Sequence, residues 1–408
     1  MKKRTAVIGT IVLVLVVSFL SVFITLQITD YVAVQNGDSV VITKNQYQQI
    51  LSIQKLEQVK EIIKNEYIEK PTEDTLMDGA VKGLVASLDD PYSTYYTKAE
   101  FKSFQEHMTG KYAGVGLVVS PGTKEDKLIT VIQVFANTPA AKAGILPGDK
   151  IIKVNDIEMD GSQLEKAVSL MKGTKGEKVK ITTYRKSKNE IKDIELIRDI
   201  IMINTVSSKM LQDGIGYINI SSFDENTFKE YKNALTDLQK KKMKGLLIDI
   251  RSNPGGLLDI VSQVADTLLP AGKIVYTEDR NKKQEVIMSD ANALGLPLVL
   301  LVNGDSASAS EILAGAVQDY GVGKIVGTTT FGKGIVQTIR AFKDQTGIKL
   351  TTSRYFTPKG RSIHKIGIKP DVVVDLSAEL KNDPSLIKPE NDNQLKKGID
   401  VLMGLMKK

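Results

Sequence analysis

The sequence predicts an α/β protein: a layered β-sheet core with helices, a small β-barrel inserted before it, a helical N-terminal module and a single N-terminal transmembrane helix. Three observations carry this. Residues 199–375 alternate buried-type strand runs, such as GLLIDI at 245–250 and Leu298–Val302, with amphipathic helices. Residues 110–198 hold five short β-branched runs and one helical segment between Gly, Pro and Asp turns. Residues 5–29 carry no charge.

At 408 residues, two or three domains of roughly 150 residues are expected. With 42% apolar and 25% charged residues the chain is a folded globular protein, not a disordered or multi-span one. It has no cysteine, which excludes disulfides, thiol nucleophiles and Cys-ligated metal. Its two histidines, His107 and His364, speak against a His-rich metal site, so no metal and no cofactor are expected. The net charge of +7 includes Lys2, Lys3 and Arg4; the remainder is too small and too spread out to argue for nucleic acid.

The stretch 6–28 is almost wholly apolar, and 23 residues at ~1.5 Å each reach roughly 35 Å, enough for a bilayer core of ~30 Å. Lys2-Lys3-Arg4 precedes it, so the positive-inside rule puts residues 1–30 down as a cytoplasmic tip with a membrane anchor and the rest as extracytoplasmic. A cleaved signal peptide is the competing reading, but no A-x-A site follows.

Residues 31–109 read as a helical module. Leu56, Val59, Ile62, Ile63 and Tyr67 form one stripe, and Leu76, Ala80, Leu84, Val85 and Leu88 a second. Asp89-Asp90-Pro91 is a stop. Thr97-Lys98-Ala99-Glu100 is a capping box opening a third helix. Such a module either packs on the body or pairs with a second copy of the chain. Residues 376–408 are polar, with a small stripe at Ile399, Leu402 and Leu405.

Within 110–198, Gly114-Val115-Gly116-Leu117 is a glycine-flanked loop entering a strand, able to aim backbone N–H groups at a carboxylate. The run from Ala143-Gly144 through Pro147-Gly148-Asp149-Lys150-Ile151 to Val154-Asn155 accompanies it. Together they resemble a PDZ domain, which implies capture of a peptide's free C-terminus as an added strand.

Three segments of 199–375 carry chemistry. Asn303–Glu311 joins a buried strand to a helix and contains Ser306, Ser308 and Ser310. A serine there meets free N–H groups and the helix dipole, which favour an oxyanion, although Ser308-x-x-Glu311 is also a plain capping box. Gly327–Gly334 nearly matches a phosphate-binding loop, but Gly334 replaces the Mg²⁺-binding hydroxyl and a strand follows where such a loop opens a helix. Lys333, set between glycines, can instead act as a base toward a serine, or stand as a solvated surface lysine. Asp249–Gly256 ends a buried strand in adjacent glycines, which allow close backbone approach or a simple turn.

Ser306-Ala307-Ser308-Ala309-Ser310-Glu311, Phe331-Gly332-Lys333-Gly334-x-Val336-Gln337 and Asp249-x-Arg251-x-Asn253-Pro254-Gly255-Gly256, with the PDZ-like stretch, resemble the C-terminal processing (tail-specific) serine proteases over roughly residues 45–375. The resemblance implies Ser308 as nucleophile, Lys333 as general base and Gln337 as its orienting partner. It implies an oxyanion hole from the N–H groups of Ala309 and of Gly255 or Gly256. Choice of Ser308 over its neighbours rests on that resemblance, and Glu311 is read as structural. A lysine base must be neutral, which requires burial to lower a pKa of ~10.4 by roughly three units. The implied activity is cleavage of protein C-terminal tails, gated by the PDZ-like domain, with proteins or peptides bearing free C-termini as partners; Lys172 could sense the tail carboxylate. A non-catalytic PDZ scaffold or a ligand-binding protein on the same core would need Ser308 and Lys333 to be dispensable. His364 is read as a loop histidine.

Overall fold

The structure is a computed structural model that describes residues 15–19, 30–35, 38–122, 126–382 and 387–407. The chain forms two compact units, divided between Asp89 and Asp90.

The expected transmembrane helix is corrected here. Of residues 6–28 only 15–19 are described, and they are helical; the others lie outside the described residues. Among the described residues no helix is long and apolar enough to cross a membrane. The single-pass anchor, and the cell-membrane location with an extracytoplasmic catalytic domain that followed from it, are therefore withdrawn. An uncharged run sets hydropathy, and hydropathy by itself does not make a span.

The first unit opens with a hairpin, β1 (Asp30–Gln35) and β2 (Asp38–Thr43), followed by helices α1 (Lys44–Glu66) and α2 (Glu73–Ala86). Thr43 and Gln46 close a capping box at the start of α1. Lys60 reaches Glu57 on its own helix (2.8 Å) and Glu73 at the start of α2 (2.7 Å).

The second unit starts with the short strand β3 (Thr94–Tyr96) and α3 (Lys98–Thr109), which is opened by the Thr97–Glu100 capping box. Strand β4 (Lys111–Gly114) pairs antiparallel with β11 (Asp199–Met202). The barrel is inserted between these two strands. Its sheet runs β10–β9–β7–β6–β5, from β5 (Leu117–Ser120), β6 (Ile129–Val134), β7 (Lys150–Val154), β9 (Lys178–Arg185) and β10 (Glu190–Ile197), with β8 (Ile157–Glu158) on β7. A short helix α4 (Pro139–Lys142) and α5 (Leu164–Met171) complete it over a separate core of Val115, Ile129, Ile151 and Ile181.

The main sheet has the order β12–β13–β14–β17–β18–β21. It is built from β12 (Val206–Met210), β13 (Ile215–Ile220), β14 (Gly245–Asp249), β17 (Leu298–Val302), β18 (Lys324–Gly327) and β21 (Val372–Val373). All neighbours pair in parallel except β12 with β13. Every residue of β14 and β17 is buried, as expected of strands covered on both faces. Successive side chains point to opposite faces. Leu246, Ile248, Leu298 and Leu300 therefore meet the helices α6 (Thr227–Lys240), α7 (Leu258–Asp266) and α8 (Ala309–Tyr320). Leu247, Val299 and Leu301 face the last helix, α10 (Asn393–Met406), which follows α9 (Ala378–Asn382). The C-terminal stripe thus supplies a core layer, with Leu402 fully buried.

A second sheet, β16–β15–β20–β19, consists of β15 (Gly272–Asp279), β16 (Gln284–Ser289), β19 (Ile335–Ala341) and β20 (Gly347–Phe356), and β3 joins β20. The three sequence segments singled out for chemistry all leave the C-terminal ends of adjacent parallel strands: β14, β17 and β18. Ligand sites in open α/β sheets gather at such strand ends.

Candidate active site

Ser308 caps α8 with φ 54° and ψ −113°, a conformation strained for any residue with a Cβ. The strain is held by close packing. A Cβ on Gly255 (φ 105°) would fall 2.8 Å from the Ser308 Cβ and 3.0 Å from the Ala309 nitrogen, so only glycine lets the 253–256 turn lie against the serine. Asn253, fully buried, joins the two turns: its carbonyl accepts from the Ala307 N–H (3.0 Å) and the Ser310 hydroxyl (2.9 Å), and its amide donates to the Ile220 carbonyl.

The structure distinguishes the three serines. The Ser306 hydroxyl donates to the Ile250 carbonyl at 2.8 Å and accepts from the Asn303 N–H at 2.9 Å. The Ser310 hydroxyl is bound to Asn253, and both side chains are fully buried. Only Ser308 of the three lines the cleft of about 210 Å³ beside α8, which it shares with Lys333, Gln337, Gly256 and Ala309.

Two buried side chains fix the serine turn to the lysine loop. Glu311 Oε2 accepts from the Ser308 N–H (2.9 Å) and the Lys333 N–H (2.8 Å); its Oε1 accepts from the Gly332 N–H (2.7 Å) and the Thr330 hydroxyl (2.6 Å). The Tyr355 hydroxyl lies between the carbonyls of Lys333 (2.6 Å) and Ser308 (2.9 Å), sharing its one proton. Burial, and then the nearby Glu311, push the Tyr355 phenol far up, which keeps it a donor. Nothing in the sequence singled out Tyr355, because β20 contacts these loops only in the folded sheet. Glu311→Gln turns an acceptor oxygen into a donor among four donors. It is expected to cost about 1–3 kcal/mol per stranded group in urea unfolding.

Lys333 is half-buried, its ammonium nitrogen 4.7 Å from the ring centroid of Tyr92. Burial and the charge of Lys349 hold it below the ordinary lysine pKa, against the opposing pull of Asp90 and Glu311. Among the described residues it forms no ion pair. The oxygens of Asp90 take the Tyr92 N–H (3.0 Å) and the Ser93 hydroxyl (2.6 Å) instead. Burial raises the Asp90 carboxyl, but hydrogen bonds from Ser93, Thr351 and Tyr92 outweigh it and leave the group below its usual value.

Gln337 lines the cleft, but its amide donates to Thr351 (3.3 Å) and makes no bond to Lys333. The two glycines differ. The Gly255 N–H is engaged by Asn253 Oδ1 at 2.8 Å and Gly255 does not line the cleft, whereas Gly256 and Ala309 line it with N–H groups that no described residue accepts from. The backbone of His364 abuts Gly334, and its buried Nδ1 has no partner among the described residues. Burial, then Lys365 and Arg354, hold that imidazole low.

In the inserted barrel Val115 is buried, and the carbonyls of Val115 and Gly116 accept from Ala140 and Phe135, both at 3.0 Å. No described residue accepts from the N–H groups of Val115 and Gly116. Gly114 ends β4, Leu117 opens the edge strand β5, and Lys172 pairs with Glu106 of α3 at 3.1 Å above the Tyr112 ring.

One cleft of the α/β core holds a strained serine and a desolvated lysine, and a small barrel is inserted in the chain before that core. Residues 214–374 match peptidase family S41, residues 114–196 the PDZ domain, and residues 15–100 the N-terminal domain of the activating protease CtpB. Over 324 residues the chain is 41% identical to the carboxy-terminal processing protease CtpA of Bacillus subtilis (strain 168), covering 79% of this chain and 69% of that one. Over 341 residues it is 39% identical to the carboxy-terminal-processing protease of Bartonella bacilliformis, covering 82% and 77%. A solved S41-type structure from Bacteroides fragilis NCTC 9343 has the same fold, with a TM-score of 0.53 at 15% identity over 83% of this chain and 92% of that one. The chain is a member of peptidase family S41, among its carboxy-terminal processing proteases.

Proposed function

We propose that this peptidase cleaves protein tails by a Ser308–Lys333 mechanism. The observation that carries the reading is the lysine: partly desolvated, without a carboxylate partner, and tied through Glu311 and Tyr355 to the turn that bears the serine. Neutral Lys333 takes the Ser308 proton as the hydroxyl attacks the scissile carbonyl. The oxyanion of the tetrahedral intermediate is received by the Ala309 and Gly256 N–H groups at the positive end of α8. The protonated lysine then returns its proton to the leaving amine, and water hydrolyses the acyl-enzyme by the same steps. Gly255 acts by letting the turn approach. Gln337, bonded to Thr351, faces the cleft as a polar wall able to turn toward the lysine when substrate fills it.

The barrel supplies the tail specificity in this reading. The free N–H groups of Val115 and Gly116 receive a terminal carboxylate, and β5 accepts the preceding residues as an added strand from Leu117 onward. Binding there gates delivery to Ser308. Cleavage of an unstructured peptide, followed by mass spectrometry, tests both parts. Ser308→Ala is expected to abolish cleavage with the fold retained, and amidation of the peptide's C-terminus to slow it. A Ser308→Ala protein of undiminished activity would overturn the mechanism, and equal rates on free and amidated peptides would overturn the role of the barrel.

A further inference from the structure

A second lysine faces the catalytic cleft. Lys349, on β20, lines the same cavity as Ser308 and Lys333. Its ammonium nitrogen lies 5.8 Å from the ring centroids of both Tyr96 and Phe104, which stack on each other at 4.9 Å. The two rings, from β3 and α3, are neighbours in the chain, and Lys349 reaches them from a strand far along the sequence. Among the described residues Lys349 forms no ion pair, whereas Lys60, Lys150 and Lys180 each reach a carboxylate. A half-buried cation held on aromatic faces and left without a countercharge directs its field into the space it lines.

We propose that Lys349 is a positioning residue for the reaction: a fixed second positive charge in the cleft that keeps the amine of Lys333 in its neutral, proton-accepting form. The other groups facing Lys333 leave little besides burial to oppose its charged form. Asp90 and Glu311 both favour the ammonium form of Lys333. Tyr92 offers a ring face that also favours a cation, and Tyr355 is an uncharged donor to the backbone. His364, whose backbone abuts Gly334, is itself held toward its neutral form. That leaves burial and Lys349 to oppose the two carboxylates, and these are the two influences that lower the basicity of Lys333. Asp90 and Glu311 have oxygens occupied by hydrogen-bond donors other than the amine, which weakens their hold.

This inference rests on Lys333 as the base, and the experiment separates the two. In the full chain, kcat and KM for an unstructured peptide are measured against pH for the wild type and for Lys349→Met, Lys349→Gln, Lys349→Arg and Lys333→Ala. With either neutral residue at 349 the acid limb of kcat is expected to move up, because a like charge no longer disfavours the ammonium form of Lys333. Activity on that limb then falls, the high-pH plateau stays, and Lys349→Arg restores the wild-type profile. Lys349→Met keeps an unbranched side chain over the two rings, and Lys349→Gln replaces it if the methionine variant does not fold. A profile that superimposes on the wild type, or a change confined to KM with the limb in place, overturns the role of Lys349 while leaving Lys333 as base. Full activity in Lys333→Ala overturns the base assignment itself.

Discussion

Replacing Lys333 is expected to lower kcat by about 10²–10⁴-fold, the contribution typical of a positioned acid–base group. Lys333→Arg should be as inactive as Lys333→Ala, because a guanidinium does not release its proton near neutral pH. In the wild type, activity should rise with pH across the lowered pKa of Lys333, since only the neutral amine accepts a proton. Stability should show the same group with a definite sign. The folded chain gives up this proton at lower pH than the unfolded chain, whose lysine keeps the ordinary value. Between those two pKa values the unfolded state binds more protons, so this group makes stability rise with pH and withdraws that gain as pH falls through the folded-state value. Lys333→Met removes a desolvated amine. It should raise the Tm at neutral pH and flatten that alkaline rise while destroying activity, the trade expected where a site is destabilised for function. Thermal melts across a pH series, beside peptide kinetics, read both effects.

Arg251→Ala is expected to cost about 3–5 kcal/mol in chemical unfolding, as does breaking a buried charge pair from one side. Arg251 binds Asp249 through Nε (2.9 Å) and Nη2 (2.6 Å), and Asp392 through both Nη atoms (3.0 and 2.8 Å). All three side chains are nearly buried. Asp249 ends β14 and also accepts from the Tyr217 hydroxyl at 2.9 Å. Asp392 is the N-cap of α10, accepting from the Leu395 N–H at 2.9 Å. One guanidinium therefore clamps the C-terminal helix to the strand end that carries the 253–256 turn. Arg251→Lys keeps the charge but cannot serve two carboxylates in fork geometry, so it should fall between wild type and alanine. Equal stability of Arg251→Ala and wild type would show that the clamp contributes nothing.

This role is one that the sequence could not disclose. Asp249-x-Arg251 reads there as part of a chemical segment, because its neighbours are Asn253, Gly255 and Gly256. The partner that makes it structural, Asp392, lies 141 residues on, in a stretch that reads as polar and weakly helical. Strands β15 and β16 escape a sequence reading for a related reason. Their stabilisation comes from pairing with each other and with β20, and alternation is weak where one face stays partly wet. By contrast β17 is legible to the residue, and the helix after the serine segment and the strand after the lysine loop are legible in place, since a run of five apolar residues, a capped small-residue helix and a β-branched run each carry their own local signal. The hydrophobic stretch at 6–28 is the opposite case, a strong local signal that overstated what it could establish.

Local chemistry written in the chain was enough to name the parts. Glycine pairs, a serine-rich helix start, a lysine between glycines and the run through Pro147-Gly148-Asp149 specify turns, caps and a barrel through interactions among near neighbours. Which serine faces the cleft, which glycine has an unclaimed N–H, and what holds a lysine without a countercharge were decided only when β14, β17, β18 and β20 came together. Hydrogen-bond commitment, burial and the field of a distant ammonium depend on groups that meet across long sequence separations, and such distances exist only in the folded molecule.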